Sequence, residues 1–174
     1  MKGHCILSHG FESGPDATKV TALVQAAKSC GWTHERPDFT RYDADRAASA
    51  LGDVPARLAH LVALVRAAAE RGPVVLAGSS LGAWISAHTS TQVPVAGLYL
   101  MAPPIQLGEA HPIVAADIPT SIIHGWHDEL IPADSVVAWA RARNNELLLV
   151  NDSHRLSDHV ETTRLHFQHF LERL

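Results

Sequence analysis

The sequence has few of the features that mark disulfide-bonded, membrane-spanning or nucleic-acid-binding chains. Its 174 residues include only two cysteines, Cys5 and Cys30, which do not make a disulfide framework, so we expect a reducing, cytoplasmic location. The apolar runs are far too short to span a bilayer. A net charge of −4 gives no electrostatic reason to expect nucleic acid or an anionic membrane as a partner.

Sequence motifs of several cofactor-dependent classes are missing as well. Neither G-x-G-x-x-G nor G-x-x-x-x-G-K-[ST] occurs, which argues against a flavodoxin-like or nucleotide-binding module. The twelve histidines raise the possibility of a metal site, with His124, His127 and Asp128 as ligands. No motif of metal-hydrolase spacing accompanies them, so we expect neither a metal nor another cofactor.

What is present is a composition typical of one globular domain. Hydrophobic residues make up 47% of the chain and charged residues 18%, and the length is sufficient to bury a core. No internal repeat, low-complexity tract or linker divides the chain. It begins directly with a strand-like segment, so we expect no signal peptide.

Short apolar runs alternate with segments of helical periodicity along the whole chain. Strands are expected at residues 4–8, 32–37, 74–77, 95–100, 120–124 and 146–150. Helices are expected at about 16–29, from 53, at 81–90, at 132–143 and from 157 or 158, where Asp158 with Glu161 is typical of a capping box. Residues 38–52 are expected to form a loop or irregular helix, and 101–117 a loop. This alternation predicts an α/β fold, a three-layer α/β/α sandwich with a mostly parallel sheet of about six strands.

The most informative pattern lies at residues 78–82, directly after the third expected strand. It fits G-x-S-x-G with Ser80 in the central place, a pattern that in a strand–turn–helix is typical of a nucleophile elbow. Small residues on both sides let strand and helix approach closely. The N–H of Leu81 would lie at a helix N-terminus, where partial positive charge collects. Taken alone, the pattern also fits a Gly/Ser-rich turn without chemistry.

A serine hydroxyl needs a base to accept its proton and a carboxylate to orient that base. Candidates for both follow the last two expected strands, where Asp128 comes after 120–124 and His154 after 146–150. Active sites in open parallel sheets lie at the carboxyl ends of the strands. The order Ser80, Asp128, His154 is the order found in α/β-hydrolases.

Neighbouring residues offer a rival for each role: Ser79 for the nucleophile, Glu129 and Asp152 for the acid, and His159 for the base. Ser80 is favoured because it alone holds the central place of the pattern. Asp128 is favoured by its position four residues after His124, and His154 because it lies in an expected loop rather than inside a helix.

Four motifs at expected strand ends resemble those of the α/β-hydrolase superfamily. His9-Gly10-Phe11 resembles the oxyanion loop of that family, and residues 78–82 resemble its elbow. The stretch 124–132 is similar to its acid-bearing loop, and Ser153-His154 to its histidine loop. The resemblance covers almost all of the central part of that fold and implies a single α/β-hydrolase domain over residues 1–174.

The resemblance also implies roles for individual residues. Ser80, Asp128 and His154 would form a catalytic triad. The backbone N–H groups of Phe11 and Leu81 would form the oxyanion hole, with Glu12 as the alternative to Phe11. His9 would hold its loop rather than act as a second base.

Two departures from the family pattern suggest a small, open member. No strand precedes residues 4–8, and only about twenty residues separate the fourth and fifth strands, where larger relatives insert a cap domain. The chain therefore resembles small lidless bacterial serine esterases, a minimal core without a cap domain. Its pocket would be shallow and lined by residues from strand-end loops: Met101, Pro103, Ile105, Leu107, Trp126 and Leu156.

We therefore expect a carboxylesterase-like serine hydrolase that cleaves small acyl esters without a cofactor. Its partner would be a small-molecule acyl ester, with no nucleic acid and no membrane, and the sequence leaves the oligomeric state open. Thioesterase, amidase or peptidase activity on the same triad stays open, as does a non-catalytic binding module of the same fold.

Overall fold

A computed structural model describes residues 2–174, in which six parallel strands form the central sheet. The strands, with those of a small hairpin, are β1 His4–Ser8, β2 Thr33–Glu35, β3 Val74–Ser79, β4 Gly97–Met101, β5 Gln106–Leu107, β6 His111–Pro112, β7 Thr120–Gly125 and β8 Glu146–Val150. The helices are α1 Thr18–Ser29, α2 Thr40–Asp43, α3 Val54–Ala69, α4 Leu81–Ser90, α5 Ala133–Ala142 and α6 Val160–Glu172.

The strand order in the large sheet is β2-β1-β3-β4-β7-β8. The chain therefore moves outward from β1 to β2, then crosses back over β1 to β3 and continues to the other edge. Ligand sites in such sheets lie where the direction of winding reverses, at the carboxyl ends of the two adjacent strands. Here that point lies between β1 and β3, where Ser8 pairs with Gly78.

Two apolar layers cover the sheet because successive residues of a buried strand point to opposite faces. In β3, Leu76 packs with Leu61 and Ile85 from α3 and α4. Its neighbour Val75 packs on the other face with residues of α1 and α6 such as Leu23. The three-layer α/β/α arrangement expected from the sequence is confirmed. No helix within residues 2–174 has the length and apolar character needed to cross a membrane.

The structure differs from the expectations in two local features. Residues 101–117 are not all loop, because β5 and β6 pair as an antiparallel hairpin whose strands are too short to show a period. Residues 38–52, expected to form a loop or irregular helix, contain the short helix α2. The capping box predicted from Asp158 and Glu161 is wrong, since a 3₁₀ turn over Ser157–His159 precedes α6 and no side chain caps the helix.

Close backbone contacts join β3, α4 and the end of β1. A Cβ added at Gly78 would lie 2.3 Å from the Gly82 carbonyl oxygen. A Cβ added at Gly82 would lie 2.5 Å from the carbonyl oxygens of Ser8 and His9. Real Cβ atoms do not approach backbone atoms this closely, so only glycine fits at either position. These contacts set the angle at which the chain turns between β3 and α4.

Replacing Gly78 by alanine should therefore push β3 and α4 apart. We expect Gly78→Ala to lower the free energy of unfolding by about 1–3 kcal/mol, the usual cost of overpacking, measured by urea denaturation. Gly14→Ala is the matched control, because a Cβ there meets nothing within 4 Å. Equal stability of the two variants would contradict the close contact at Gly78.

Candidate active site

Ser80 lies in the turn between β3 and α4 in a backbone conformation that serine rarely adopts. Its φ is 53° and its ψ is −121°. The Ser80 N–H donates to the Met101 carbonyl at 2.9 Å, and the Ser80 carbonyl accepts from the N–H groups of Ala83 and Trp84 at 2.8 and 3.1 Å. These bonds and the glycine contacts hold the strained turn, so the side chain stands clear of the sheet.

The structure brings Ser80, His154 and Asp128 together from the ends of three strands. The Ser80 Oγ lies 3.0 Å from His154 Nε2. The His154 Nδ1 lies 2.7 Å from Asp128 Oδ2. Both distances are those of hydrogen bonds, so the three side chains form a continuous chain from a hydroxyl through an imidazole to a carboxylate.

The Asp128 carboxylate is fully buried and satisfied on both oxygens. Its Oδ1 accepts from the N–H groups of Leu130 and Ile131 at 2.9 and 2.8 Å. Burial raises the pKa of Asp128, but the hydrogen bonds from His154 and from the two N–H groups outweigh it and leave the pKa below its usual value. An ionised carboxylate therefore faces His154 Nδ1, which favours the tautomer with its proton on that nitrogen.

His154 is also held through its main chain. Its N–H donates to Glu129 Oε2 at 3.2 Å. Its carbonyl lies 3.5 Å from the Nζ of Lys19, a residue of α1. Burial lowers the pKa of Lys19 to about 8, although the carboxylates of Asp128 and Asp152 oppose that shift. The loop is thus fixed from the acid-bearing side and from α1.

The expected oxyanion donors, the N–H groups of Phe11 and Leu81, have no hydrogen-bond partner within residues 2–174. A Cβ added at Gly10 would lie 3.5 Å from Ser80 Cβ, so the loop after β1 lies directly against the nucleophile candidate. Glu12, the alternative donor, has a φ of 52°. Two free donors beside one hydroxyl can stabilise negative charge that develops on a bound carbonyl oxygen.

Comparison with known proteins shows the family to which the chain belongs. The model of the alpha/beta hydrolase family matches residues 5–171 of the chain. The chain belongs to the alpha/beta hydrolase family. A crystal structure from Xanthomonas campestris pv. campestris, assigned to the hydrolases of the alpha/beta superfamily, is 58% identical, with 99% of each chain covered and a TM-score of 0.97.

More distant solved structures of similar fold include other hydrolases. An esterase from Pyrococcus furiosus is 16% identical, with 99% of this chain and 82% of that chain covered and a TM-score of 0.78. A lidless α/β serine hydrolase from Xanthomonas campestris is 19% identical, with 97% and 81% covered and a TM-score of 0.73. At these identities the likeness shows the fold alone. A search of curated proteins finds no significant match. Together with the family match, the comparisons support a hydrolase.

The rivals considered from the sequence hold other positions in this hydrolase. Ser79 belongs to β3 and is 5% exposed. Asp152 accepts from His159 Nδ1 at 3.0 Å, so these two pair with each other and not with Ser80. His124 is fully buried, and its Nε2 lies 3.0 Å from the Ile131 carbonyl. Within residues 2–174 no cluster of three or more histidine, cysteine or acidic side chains is arranged to hold a metal ion.

The expected pocket residues differ in exposure. Met101 and Leu156 are fully buried in the apolar layer next to α1 and α6. Pro103 is buried as well, whereas Leu107, like Ile105, is half-buried. Trp126 is 52% exposed. Contact of the expected pocket residues with substrate stays a prediction.

Two hollows on the surface lie far from Ser80. One, of about 850 Å³, is bordered by residues 117–120, 142–146 and the end of α6, at the amino ends of β7 and β8. The other, of about 240 Å³, lies at the amino end of β1. Neither is bordered by Ser80, His154 or Asp128.

Backbone strain concentrates in the loops around the site. Five non-glycine residues within 2–174 have a positive φ, and four of them directly follow or closely follow strands of the large sheet at their carboxyl ends: Glu12, Ser80, Ala102 and Leu156. Such conformations cost roughly 1–3 kcal/mol each and persist where the surroundings enforce them. The loops of this edge are therefore held in fixed shapes.

The residues that hold the loop of His154 in place were not predicted from the sequence. No role was assigned to Lys19 of α1 from the sequence. Asp152 was considered only as a rival acid, yet its carboxylate anchors the histidine loop: it accepts from the N–H groups of Ser153 and Asp158 at 2.7 and 3.0 Å, besides His159. The only signal was an acidic residue two positions before His154.

Removing the Asp152 carboxylate should therefore loosen this loop. We expect Asp152→Ala to lower the free energy of unfolding at pH 7 by about 1–3 kcal/mol, because three donors lose their acceptor. Hydrogen bonds, opposed by burial, hold the pKa of Asp152 below its usual 3.8. A lowered pKa stabilises the folded state above about pH 4, and that contribution is lost as the pH falls through the folded-state pKa.

Urea denaturation between pH 7 and pH 3 measures this effect. The difference in free energy of unfolding between the wild-type protein and Asp152→Ala should become smaller below about pH 4. Asp158→Ala serves as the control, since the exposed Asp158 side chain has no hydrogen-bond partner in the described chain and its removal should cost less than about 1 kcal/mol. A larger loss in the Asp158 variant would contradict the anchoring role of Asp152.

Proposed function

We propose that this protein is a carboxylesterase-like serine hydrolase that cleaves small acyl esters through Ser80, His154 and Asp128. The observation that carries the proposal is the hydrogen-bonded chain from Ser80 Oγ to His154 Nε2 at 3.0 Å and from His154 Nδ1 to Asp128 Oδ2 at 2.7 Å. It joins a nucleophile, a base and an orienting carboxylate in the order that acyl transfer requires.

The reaction begins with attack of Ser80 Oγ on the ester carbonyl. His154 Nε2 accepts the hydroxyl proton as the new C–O bond forms, and Asp128 stabilises the resulting imidazolium. The N–H groups of Phe11 and Leu81 donate to the oxyanion of the tetrahedral intermediate. When the intermediate collapses, the C–O bond to the alcohol breaks, and His154 returns its proton to the departing oxygen.

The acyl-enzyme is then hydrolysed by water. His154 Nε2 takes a proton from the water molecule as its oxygen attacks the acyl carbon, and the same N–H groups stabilise the second oxyanion. Collapse of this intermediate releases the carboxylic acid and returns the proton to Ser80 Oγ. Every proton transfer uses one imidazole, so no metal or other cofactor is required.

Ester hydrolysis is favoured among the acyl-transfer reactions by two supports. The fold is shared with an esterase and with a lidless serine hydrolase. The chain has only residues 102–119 between β4 and β7, where a lid would lie. Thioesters and amides are cleaved by the same groups, so a panel of the three leaving groups, measured by kcat/KM, distinguishes these activities.

The nucleophile can be tested by two serine variants. Ser80→Ala should lower kcat for a nitrophenyl acetate by roughly 10³-fold or more and abolish labelling by a fluorophosphonate, because within residues 2–174 no other hydroxyl is hydrogen-bonded to His154. The circular dichroism spectrum and thermal midpoint should be unchanged. Ser79→Ala, one residue earlier in β3, is the matched control and should keep its activity and labelling.

The opposite pattern would move the nucleophile to Ser79. A wild-type protein that neither hydrolyses esters, thioesters or amides nor reacts with the fluorophosphonate would refute the proposed serine mechanism and favour a binding module.

Substrate size follows from the absence of a cap over the described site. Each methylene that is buried contributes about 0.8 kcal/mol, whereas one that stays in water contributes nothing. We therefore expect kcat/KM to rise from acetyl esters, peak by about the hexanoyl ester, and level off or fall beyond it, measured below the micelle concentration of each substrate.

Trp126 offers a specific test of where the acyl chain lies. Trp126→Ala should reduce kcat/KM for hexanoyl esters more than for acetyl esters, since the exposed indole would cover the longer chain. Leu165→Ala, which removes a similarly exposed apolar side chain from α6, should change neither. An optimum at dodecanoyl or longer would mean that the β5–β6 hairpin or a second subunit covers the site.

A further inference from the structure

A buried guanidinium lies beside the proposed oxyanion loop, and the proposed chemistry does not use it. Arg57, in the first turn of α3, is fully buried. Its Nη1 donates to Asp43 Oδ1 at 2.7 Å. Its Nη2 donates to the main-chain carbonyl of His9. One side chain therefore joins α2 and α3 to the loop that follows β1.

The same loop is contacted twice more by residues 36–53, which we call the β2–α3 segment. The Phe39 N–H donates to His9 Nε2 at 3.0 Å in a buried position. Nearer the surface, Arg46 pairs with Glu12, and its guanidinium carbon lies 4.6 Å from the centre of the Phe11 ring. Main chain and side chains of the loop are thus both fixed from this segment.

Stability alone does not account for the Arg57–Asp43 pair. Arg57 Nε and Asp43 Oδ2 are buried and have no hydrogen-bond partner within residues 2–174. Burial lowers the pKa of Arg57 in spite of the neighbouring carboxylate. Buried pairs that are incompletely satisfied often add no stability compared with apolar side chains of the same size. The presence of the pair is therefore better explained by the loop after β1, which Arg57 holds in place.

The pair stands on a rigid base. A Cβ added at Gly52, whose φ is +75°, would lie 2.2 Å from the Tyr42 carbonyl oxygen and 2.7 Å from Asp43 Cα. The Tyr42 carbonyl accepts from Asp53 N–H at 2.8 Å. The start of α3 is therefore pressed against the end of α2, and Asp43 and Arg57 cannot move independently. The position of the guanidinium is set before it contacts His9.

We infer that Arg57 is a positioning residue that sets the Phe11 N–H of the oxyanion hole through its hydrogen bond to the His9 carbonyl. The inference rests on the proposed function, since it requires that N–H to face an oxyanion. The His9 carbonyl belongs to the His9–Gly10 peptide plane, which Gly10 Cα joins to the plane of the Phe11 N–H. The Gly10 carbonyl of this second plane lies 2.7 Å from His9 Nδ1, so both planes are held from His9. Donors held in place before the reaction stabilise the transition state without the cost of ordering them.

Two variants remove the link to His9 in different ways. Arg57→Lys keeps a positive charge beside Asp43 but replaces the planar fork by a single ammonium, which cannot repeat both bonds in the same geometry. The double variant Asp43→Leu/Arg57→Met removes both charges and leaves neither unpaired. It therefore provides a second test if the lysine variant does not fold.

Both variants should lose kcat by about tenfold while KM changes by less than about twofold, because the oxyanion forms only in the transition state. The inhibition constant of a trifluoromethyl ketone, whose serine adduct carries an oxyanion, should rise by the same factor as kcat/KM falls. Amide hydrogen exchange of residues 9–12 should become faster.

Leu171→Ala is the control for a general loss of stability. Leu171 is 1% exposed in α6, on the opposite face of the sheet from α3, so its removal leaves a cavity away from the loop. At a matched loss of thermal midpoint, it should keep the wild-type kcat and the wild-type exchange rates of residues 9–12.

The outcomes separate this inference from the proposed function. Wild-type kcat and ketone inhibition in the Arg57 variants, with an active wild-type protein, overturn the positioning role alone. An equal loss of kcat in Leu171→Ala also overturns it, by showing a general effect of stability. A wild-type protein without hydrolase activity or fluorophosphonate labelling overturns the proposed function, and the inference with it.

Discussion

The geometry of the site depends on the contact between two glycines across the turn that carries Ser80. Gly78 and Gly82 bring β3 and α4 so close that a Cβ at Gly78 would lie 2.3 Å from the Gly82 carbonyl oxygen. Because the strand and helix cannot separate, the turn between them is short, and Ser80 takes a positive φ. The contact of Gly82 with the carbonyls of Ser8 and His9 then brings the loop after β1 to the same place. One local constraint thus sets both the nucleophile candidate and the loop beside it.

The layered fold could be predicted because its signals are local and repeated. Buried parallel strands have continuous apolar runs, and helices that cover them have apolar residues at a period of 3.6, so the alternation was visible without any contact information. The strand ends could also be predicted, and the residues expected there, Ser80, Asp128 and His154, lie within hydrogen-bonding distance of one another. Their part in catalysis stays a prediction.

The failures share a physical cause, which is that they depend on contacts between distant segments. The capping box at Asp158 did not form because the Asp158 N–H is already bonded to Asp152. The side chains of Met101 and Leu156 turn into the core, a direction that chain position does not reveal. The role of Arg57 could not be predicted, because its partners Asp43 and His9 are 14 and 48 residues away in the chain.

Buried polar groups on both sides of Ser80 suggest how a small chain keeps an open site rigid. A lid would bury the loops and hold them by apolar contact, but this chain has only residues 102–119 available there. Its loops are held from below, by Asp152 beneath the histidine loop and by Arg57 beneath the oxyanion loop. Such groups cost desolvation energy, whereas the bonds they make have a specific direction. In a protein of this size no lid packs against the loops to hold the donors in place. Hydrogen bonds of fixed geometry therefore have to orient them.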